Sequence, residues 1–136
     1  MEAVIIAIGD ELINGAGIDT NSSYLSQRLL EKGIIPRRHI TVGDNIDEIA
    51  KVITDAINEA DLVITTGGLG PTRDDLTRQA LAKVMGVDLV EDARSAERIK
   101  EFFIRRSRQM SPSNLTQALK PAGTQTLDND IGTAPG

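Results

Sequence analysis

The stretch that decides the fold reads LVITTGGLGPTRDD, at residues 62 to 75. Its first five residues form an apolar, β-branched run that is typical of a strand buried on both faces of a parallel sheet. Three glycines and a proline come after the run, and two adjacent aspartates follow them. Such a turn can present successive backbone amides to an anion, but glycine-rich turns also occur in α/β folds without a ligand. The stretch therefore predicts an α/β fold and leaves both interpretations of its loop open.

Strands and helices are predicted to alternate around this stretch. The apolar run at residues 3–8 predicts a buried strand, and the mixed run at residues 37–42 predicts an edge strand, because Pro36 precedes it. A short strand is predicted at residues 87–90. Thr72 is the predicted N-cap of the helix that follows the glycine-rich turn. Apolar spacings of three and four predict helices at residues 20–32, 46–57, 73–85, 92–107 and 113–119.

The alternating order implies a mostly parallel sheet with helices on both faces. If the first strand lies between the second and third, the turns after the first and third strands become neighbours, at the point where such folds bind ligands. These two turns read GDELINGAGIDTN and GGLGPTRDD, and both are polar. We therefore expect the functional site where these two turns meet.

Composition limits the classes of protein to which the chain can belong. With 136 residues, 40% of them hydrophobic and 26% charged, it has the size and balance of one globular domain. No apolar run approaches the roughly 18 residues of a membrane span, and no basic region precedes an apolar one at the N-terminus, so we expect no membrane association and a cytoplasmic location. The net charge of −5 argues against nucleic-acid binding, and the lack of cysteine excludes disulfides and cysteine-bound zinc.

Acidic residues dominate the two polar turns. Asp10 and Glu11 follow the first strand, Asp74 and Asp75 follow the third, and Arg73 is the one cation in the two turns. A polyphosphate would be repelled by this set unless Mg²⁺ or another divalent metal bridged carboxylate and phosphate. Such an ion would also help to generate hydroxide, which predicts a hydrolase site. The alternatives are that the first pair is simply solvated and that the second pair caps a helix.

Other charged groups are assigned to the surface. His39, the one histidine, lies in the predicted edge strand, and no catalytic triad can be built around it. Arg105, Arg106 and Arg108 cluster at the end of a predicted helix, where cations are favourable because of the helix dipole. We therefore expect neither group to form the main site.

Five segments give the chain a family resemblance. They are GDELINGAGIDTNSSYL at residues 9–25, TVGDN at 41–45, TTGGLGPTRDDLT at 65–77, MSPSNLTQAL at 110–119 and GTAPG at 132–136. In this order they closely resemble the N-terminal domain of the competence/damage-inducible CinA proteins. That domain is part of the wider MogA-like group, which includes the molybdopterin-binding domains of molybdenum cofactor biosynthesis.

The resemblance implies a three-layer α/β/α fold over residues 1–136, as a single domain whose C-terminal part is missing, because family members continue beyond GTAPG. It implies a metal-dependent pyrophosphatase that acts on ADP-ribose or a similar nucleotide diphosphate. The alternative is a module that binds a molybdopterin or nucleotide without turnover. In both cases the expected partner is a small-molecule nucleotide or pterin phosphate, and a homo-oligomer is expected.

The resemblance also implies roles for individual residues. Asp74 and Asp75 are the implied catalytic residues, and with Asp10 they are the implied metal ligands for Mg²⁺ or another divalent metal. Amides of the glycine-rich turn would contact phosphate, and the GTAPG segment would approach the ligand from the other side. The implied ligand-binding residues are Gly9, Asp10, Asn14, Thr66, Gly67, Gly68, Gly70, Thr72, Gly132, Thr133 and Gly136.

Overall fold

The backbone contacts of the computed structural model, which describes residues 1–136, divide the chain into two units. Unit 1 comprises Met1–Gly68 and unit 2 comprises Leu69–Gly136. The boundary falls inside the glycine-rich turn, so Gly67 and Gly68 belong to unit 1 and Gly70 belongs to unit 2. The expectation that residues 1–136 act as a single domain stays a prediction.

A three-stranded parallel sheet forms the centre of unit 1. Its strands are β1 (Glu2–Ile8), β2 (Ile35–Val42) and β3 (Leu62–Thr66), in the order β2-β1-β3. The central position of β1 was the condition for bringing the two polar turns together, and it is confirmed. β2 is the predicted edge strand, and Pro36 lies beside an irregularity in its pairing with β1. The prediction that β3 is buried on both faces is wrong within this unit, because β3 lies at the other edge and is half-buried.

Three helices follow the strands of unit 1. They are the short α1 (Asp10–Ile13), α2 (Thr20–Glu31) and α3 (Ile46–Glu59). The side chain of Asp19 accepts the Ser22 amide at the start of α2, and that of Asn45 accepts two amides at the start of α3. The chain moves from β1 to one neighbour and then back across to the other, so right-handed crossovers place α2 and α3 on opposite faces of the sheet. Unit 1 thus has the three α/β/α layers.

The core of unit 1 is built around β1, whose residues 3–8 are all buried. Ala3 and Ile5 pack with Leu29 of α2, whereas alternation turns Val4, Ile6 and Ile8 toward the other face, which α3 covers. Each large aliphatic side chain buried here contributes about 1.5–3 kcal/mol. The apolar face predicted for α3 is confirmed except at its end. Ile57 is 54% exposed, and Ala56 is buried in its place.

Unit 2 contains two helices, a 3₁₀ helix and a two-stranded antiparallel sheet. The elements are α4 (Thr77–Met85), β4 (Leu89–Glu91), α5 (Ala93–Arg105), the 3₁₀ helix Pro112–Ala118 and β5 (Leu119–Pro121). β4 pairs with β5. Ala96 and Ile99 of α5 pack against Ala118, and this cluster forms a second core. None of the helices in either unit has the length and apolar character needed to cross a bilayer.

Two sequence predictions in unit 2 are corrected. Thr72 does not cap α4, which begins five residues later at Thr77 with Leu76 in the N-cap position. The reason is that Thr72 hydrogen bonds to Asp75, which closes a separate turn before the helix starts. Asp74 and Asp75 therefore do not lie in the first turn of a helix. The short predicted strand is also displaced, because β4 covers residues 89–91 rather than 87–90.

Candidate functional site

The turns after β1 and β3 lie side by side in unit 1. Gly67 adopts φ +96°, and a Cβ atom at this position would overlap the carbonyl oxygen of Ile8. Gly68 also has positive φ, at +63°. Because only glycine allows both this backbone conformation and this close approach, the end of β3 can be tied to the end of β1. The sequence prediction that these two turns are neighbours is confirmed for the part of the second turn that lies in unit 1.

Two aspartates face each other at the edge of this arrangement. The Asp10 amide donates to Oδ2 of Asp44 at 3.1 Å, and the Asp44 amide donates to Oδ1 of Asp10 at 2.9 Å. A Cβ atom at Gly43 would lie 2.6 Å from Oδ1 of Asp10, so the small residue leaves room for the carboxylate. We call this arrangement the aspartate pair. Each carboxylate uses one oxygen in the exchange, which leaves its second oxygen available to a cation.

Asp44 was not predicted as a site residue. In the sequence it appears within TVGDN, directly after the edge strand, and that segment served only as a family signature. The signal that could have identified it is its position after β2. In a parallel sheet the carboxyl ends of all strands lie at the same edge, so an acid after β2 falls near one after β1.

The other predicted residues of unit 1 take local roles beside the aspartate pair. Asn14 ends α1, and its side chain accepts the amide of Ala16 at 2.9 Å. The hydroxyl of Thr66, at the end of β3, accepts Nδ2 of Asn21 at 2.9 Å. The amide of Gly9 donates to the carbonyl of Val42 at 3.0 Å, which ties the end of β1 to the end of β2. These residues shape the edge of the sheet where the ligand is expected.

The remainder of the glycine-rich turn, Leu69–Asp75, lies in unit 2 and is closed by the carboxylate of Asp75. Oδ2 of Asp75 accepts the amide of Thr72 at 2.8 Å and its hydroxyl at 2.6 Å. The same carboxylate packs against Gly70, where a Cβ atom would lie 2.6 Å from Oδ2. Burial disfavours the charged form, but the Thr72 hydrogen bonds, the Gly70 backbone and the Arg78 charge outweigh it and lower the pKa of Asp75 below its usual value.

Arg78 holds the other side of the same turn. Its side chain is 6% exposed, and it donates from Nη1 to the carbonyl of Leu69 and from Nη2 to the carbonyl of Gly70, both at 2.7 Å. Burial lowers the pKa of Arg78, and the Asp75 charge opposes that shift. Gln117, from the 3₁₀ helix, is also buried and lies 3.5 Å from the Leu69 carbonyl through Nε2. We call Leu69–Arg78 the clamped turn.

Sequence reasoning missed Arg78 because it lies in the first turn of α4, where an arginine is expected on the solvent face. The adjacent Arg73 and Asp74 are exposed, as their position in a loop predicts. The structure therefore separates the predicted pair of catalytic acids. Asp74 is open to solvent, whereas Asp75 is already engaged by the backbone of its own turn.

The GTAPG segment is organised by Asn129. Its Oδ1 accepts the amides of Ile131 and Gly132, and its Nδ2 donates to the carbonyl of Ala134 at 2.9 Å. Gly136 exchanges two backbone hydrogen bonds with Leu127, which closes the loop. The predicted binding residues of this segment are thus held in a defined turn.

A pocket of about 620 Å³ lies between α5 and this C-terminal segment. Gly132 and Thr133 line it, whereas the residues of the clamped turn do not. Ion pairs bind the segment to α5, from Arg94 and Arg98 to Asp128 at 2.6 and 2.8 Å and from Arg98 to Asp130 at 2.6 Å. Each of the arginines that face the pocket has a partner. Arg105 pairs with Glu101, and Arg106 lies 3.8 Å above the ring of Phe102.

The carboxylates of the chain form no group of three or more that could hold a metal ion by themselves. Mg²⁺ does not require such a group, because it is commonly held by one or two carboxylates, substrate phosphates and water. The aspartate pair meets this requirement. It provides two carboxylates with one uncommitted oxygen each, next to the strand ends where the ligand is expected.

The sequence matches the family model described as probable molybdopterin binding domain over residues 4–136. A protein of Levilactobacillus brevis that bears the name putative competence-damage inducible protein is 47% identical over 136 residues, which cover 100% of this chain and 33% of that protein. The chain spans about a third of the length of the curated relatives that it matches.

Two solved structures resemble the chain in fold. One is the crystal structure of CinA, a protein of unknown function from Thermoplasma acidophilum, with a TM-score of 0.90 and 34% identity over 99% of this chain and 79% of that one. The other is the molybdopterin biosynthesis enzyme MoaB from Thermus thermophilus, with a TM-score of 0.59 over 84% of this chain and 69% of that one. At 22% identity, the second likeness is one of fold alone. The predicted fold class is confirmed by both.

Proposed function

Because the chain belongs to the molybdopterin-binding-domain family and corresponds to the N-terminal domain of CinA-like proteins, we propose that it binds a nucleotide diphosphate through a divalent metal and hydrolyses it. ADP-ribose is the proposed substrate. The bond that breaks is a P–O bond of the pyrophosphate link. One water molecule adds across it, and the products are AMP and ribose 5-phosphate.

The observation that carries the proposal is the aspartate pair beside the joined ends of β1 and β3. The two acids accept each other's backbone amides, so each keeps one carboxylate oxygen for a divalent ion that would also hold a phosphate. Gly67 and Gly68 carry no side chain and have positive φ, so a phosphoryl group can approach the backbone at this turn. The ion, when bound, would polarise the phosphoryl oxygen and activate a water molecule.

The predicted metal ligands are ranked by their hydrogen bonds. Asp10 has an uncommitted oxygen and a carboxylate partner in Asp44, so it is the ligand that we favour. Asp74 is exposed, and its carboxylate has no hydrogen bond that a ligand would have to displace. Asp75 would have to exchange its bonds with Thr72 before it could coordinate a metal. We therefore propose Asp75 as the acid that orders the turn and supports Asp74.

The second candidate function is binding without turnover. The description of the family favours it, because a probable molybdopterin binding domain is defined by a ligand and not by a reaction. The same strand ends would then hold the phosphate of a pterin. The engaged state of Asp75 also favours this function, since it removes one of the two predicted catalytic acids.

One incubation separates the two functions. The purified chain is mixed with ADP-ribose and Mg²⁺, and AMP is measured by chromatography, with a metal-free sample and an Asp10→Ala sample alongside. The proposal expects AMP that depends on metal and on Asp10. Saturable binding of ADP-ribose by calorimetry without any AMP would leave the binding module as the function.

Location and assembly complete the proposal. We propose a small-molecule nucleotide or pterin as partner, the cytoplasm as location and a homo-oligomer as the assembled state, as the resemblance to the family implies. Light scattering of the purified chain tests the last point, and a monomer mass across the micromolar range would contradict it.

A further inference from the structure

Arg78 is a charged side chain that lies buried in unit 2. The side chain is 6% exposed, and both terminal nitrogens end on backbone carbonyls, those of Leu69 and Gly70. Burying a cation is costly unless its donors are satisfied. An arginine that only packed against the turn could be replaced by an aliphatic side chain. The retained charge therefore points to the two carbonyls as the reason for the residue.

The two carbonyls belong to successive peptide groups, so one planar side chain fixes two peptide planes. No peptide bond in the chain is cis, and in a trans peptide the N–H points away from the C=O. Holding the Leu69 carbonyl toward Arg78 therefore turns the Gly70 amide to the opposite side. The Gly70 backbone is one of the groups that lower the pKa of Asp75, and the Asp75 carboxylate packs against Gly70. The peptide between Leu69 and Gly70 is thus held between a cation and an anion.

Steric contacts leave little freedom on the anionic side. A Cβ atom at Gly70 would lie 2.6 Å from Oδ2 and 2.9 Å from Oδ1 of Asp75, so the carboxylate packs directly onto the backbone. The Thr72 amide and hydroxyl bind the same carboxylate. The direction of the Gly70 amide therefore helps to set the position of Asp75.

We propose that Arg78 is a positioning residue, which acts through the Leu69–Gly70 peptide to hold the Asp75 carboxylate. Its role in the reaction rests on the proposed function, because it matters for turnover only if the clamped turn takes part in it. The geometric role does not rest on that function. A guanidinium is required because its fork reaches both carbonyls at once, whereas a lysine ammonium reaches only one while keeping the charge.

The test compares Arg78→Lys and Arg78→Met with wild type. Hydrogen exchange of the Gly70 amide is measured by NMR on glycine-labelled protein, and the Gly86 amide, which caps the end of α4, reports on the integrity of the unit. Release of the Leu69–Gly70 peptide from its fixed orientation should accelerate Gly70 exchange by about tenfold or more in both variants, with Gly86 unchanged. Gly70 exchange within twofold of wild type in Arg78→Lys, or global unfolding of that variant, would overturn the proposal.

Kinetics with ADP-ribose and Mg²⁺ supply the functional arm. Misplacement of Asp75 should lower kcat by about 10- to 100-fold in Arg78→Lys and leave KM nearly unchanged. Arg108→Met, at an exposed position, is the matched control and should retain wild-type kinetics. An unchanged kcat in a variant whose Gly70 exchange is accelerated would refute the role of Arg78 in turnover. Wild-type protein that forms no AMP refutes the proposed function instead, and the Gly70 measurement still decides the geometric claim.

Discussion

The aspartate pair in unit 1 and the clamped turn in unit 2 both place an aspartate in a turn close after a strand, yet the two aspartates are held differently. Asp10 exchanges one hydrogen bond in each direction with Asp44 and keeps an oxygen uncommitted. Asp75 accepts both the amide and the hydroxyl of Thr72 and faces the charge of Arg78. The first carboxylate is available to a ligand, and the second is already used by the fold.

This difference shows that the residue type does not define the role of an acid near a glycine-rich turn. What decides it is how far the surrounding turn already engages the carboxylate. A carboxylate with several donors from its own turn stabilises that turn, whereas a carboxylate that keeps an uncommitted oxygen near another acid can bind a cation. The two sites should therefore respond in opposite ways to substitution, in activity at one and in stability at the other.

The largest expected effect is the loss of activity on removal of Asp10. Asp10→Ala should lower metal-dependent AMP formation by about 10²- to 10³-fold, as loss of one strong electrostatic contact in a site does. Its thermal midpoint should stay close to that of wild type, because Asp10 is exposed. Asp55→Ala, on the surface of α3, is the control and should change neither property. Turnover that survives in Asp10→Ala would remove the aspartate pair from the mechanism.

The junction between the two turns gives the next largest effect. Gly67→Ala combines a strained φ with overlap of the Ile8 carbonyl, and it should destabilise the chain by about 2–4 kcal/mol. Gly33→Ala is the matched control, because Gly33 has φ +73° but open space around it. It should cost about 1–2 kcal/mol, from strain alone. If Gly67→Ala and Gly33→Ala lowered the free energy of unfolding in urea equally, the contact between the ends of β1 and β3 would contribute nothing to stability.

The clamped turn should lose stability when its acid is removed. Asp75→Ala leaves the Thr72 amide and hydroxyl without their partner, which should lower the free energy of unfolding in urea by about 1–2 kcal/mol. Asp74→Ala, at the exposed neighbouring position, should stay within about 0.5 kcal/mol of wild type. Metal-dependent turnover should fall in both variants, through loss of order in the first and of a reacting group in the second. Asp74→Ala with wild-type rates would exclude Asp74 from catalysis.

The smallest effect is the dependence of stability on pH at Asp75. Its folded pKa is lowered, so its charge adds stability that is fully present above the unfolded value of about 3.9 and is lost as the pH falls through the folded pKa. The gap in unfolding free energy between wild type and Asp75→Asn should therefore narrow as the pH is lowered from about 5 to below about 3.9. A gap that stays constant over this range would show that the Asp75 charge contributes nothing to the folded state.

The strand and helix pattern could be predicted from the sequence where local signals and packing agreed. The apolar run of β1 and the Asn45 cap of α3 indicated their elements directly. The starting point of α4 could not be predicted, because Thr72 has the chemistry of an N-cap but binds Asp75 instead. Ile57 likewise fits the helical period, yet it lies near the end of α3, where its side chain stays exposed.

The position of the candidate site in the fold could be predicted from the sequence, but not all of its residues could. The order β2-β1-β3 was the arrangement that brings the turns together, and the glycine pattern identifies the backbone approach at Gly67. Asp44 and Arg78 were not predicted as site residues, because their roles depend on contacts with distant or buried backbone groups. No periodic pattern in a sequence records which carbonyl a buried arginine will reach.

The most direct test of the aspartate pair as a metal site is a crystal structure of the chain soaked with ADP-ribose and Mn²⁺, with the metal located by its anomalous signal. We expect a Mn²⁺ ion bound by Asp10 and Asp44, with a phosphate oxygen beside Gly67 and Gly68. A metal bound elsewhere, or a nucleotide whose phosphates lie away from the ends of β1 and β3, would contradict the proposed site.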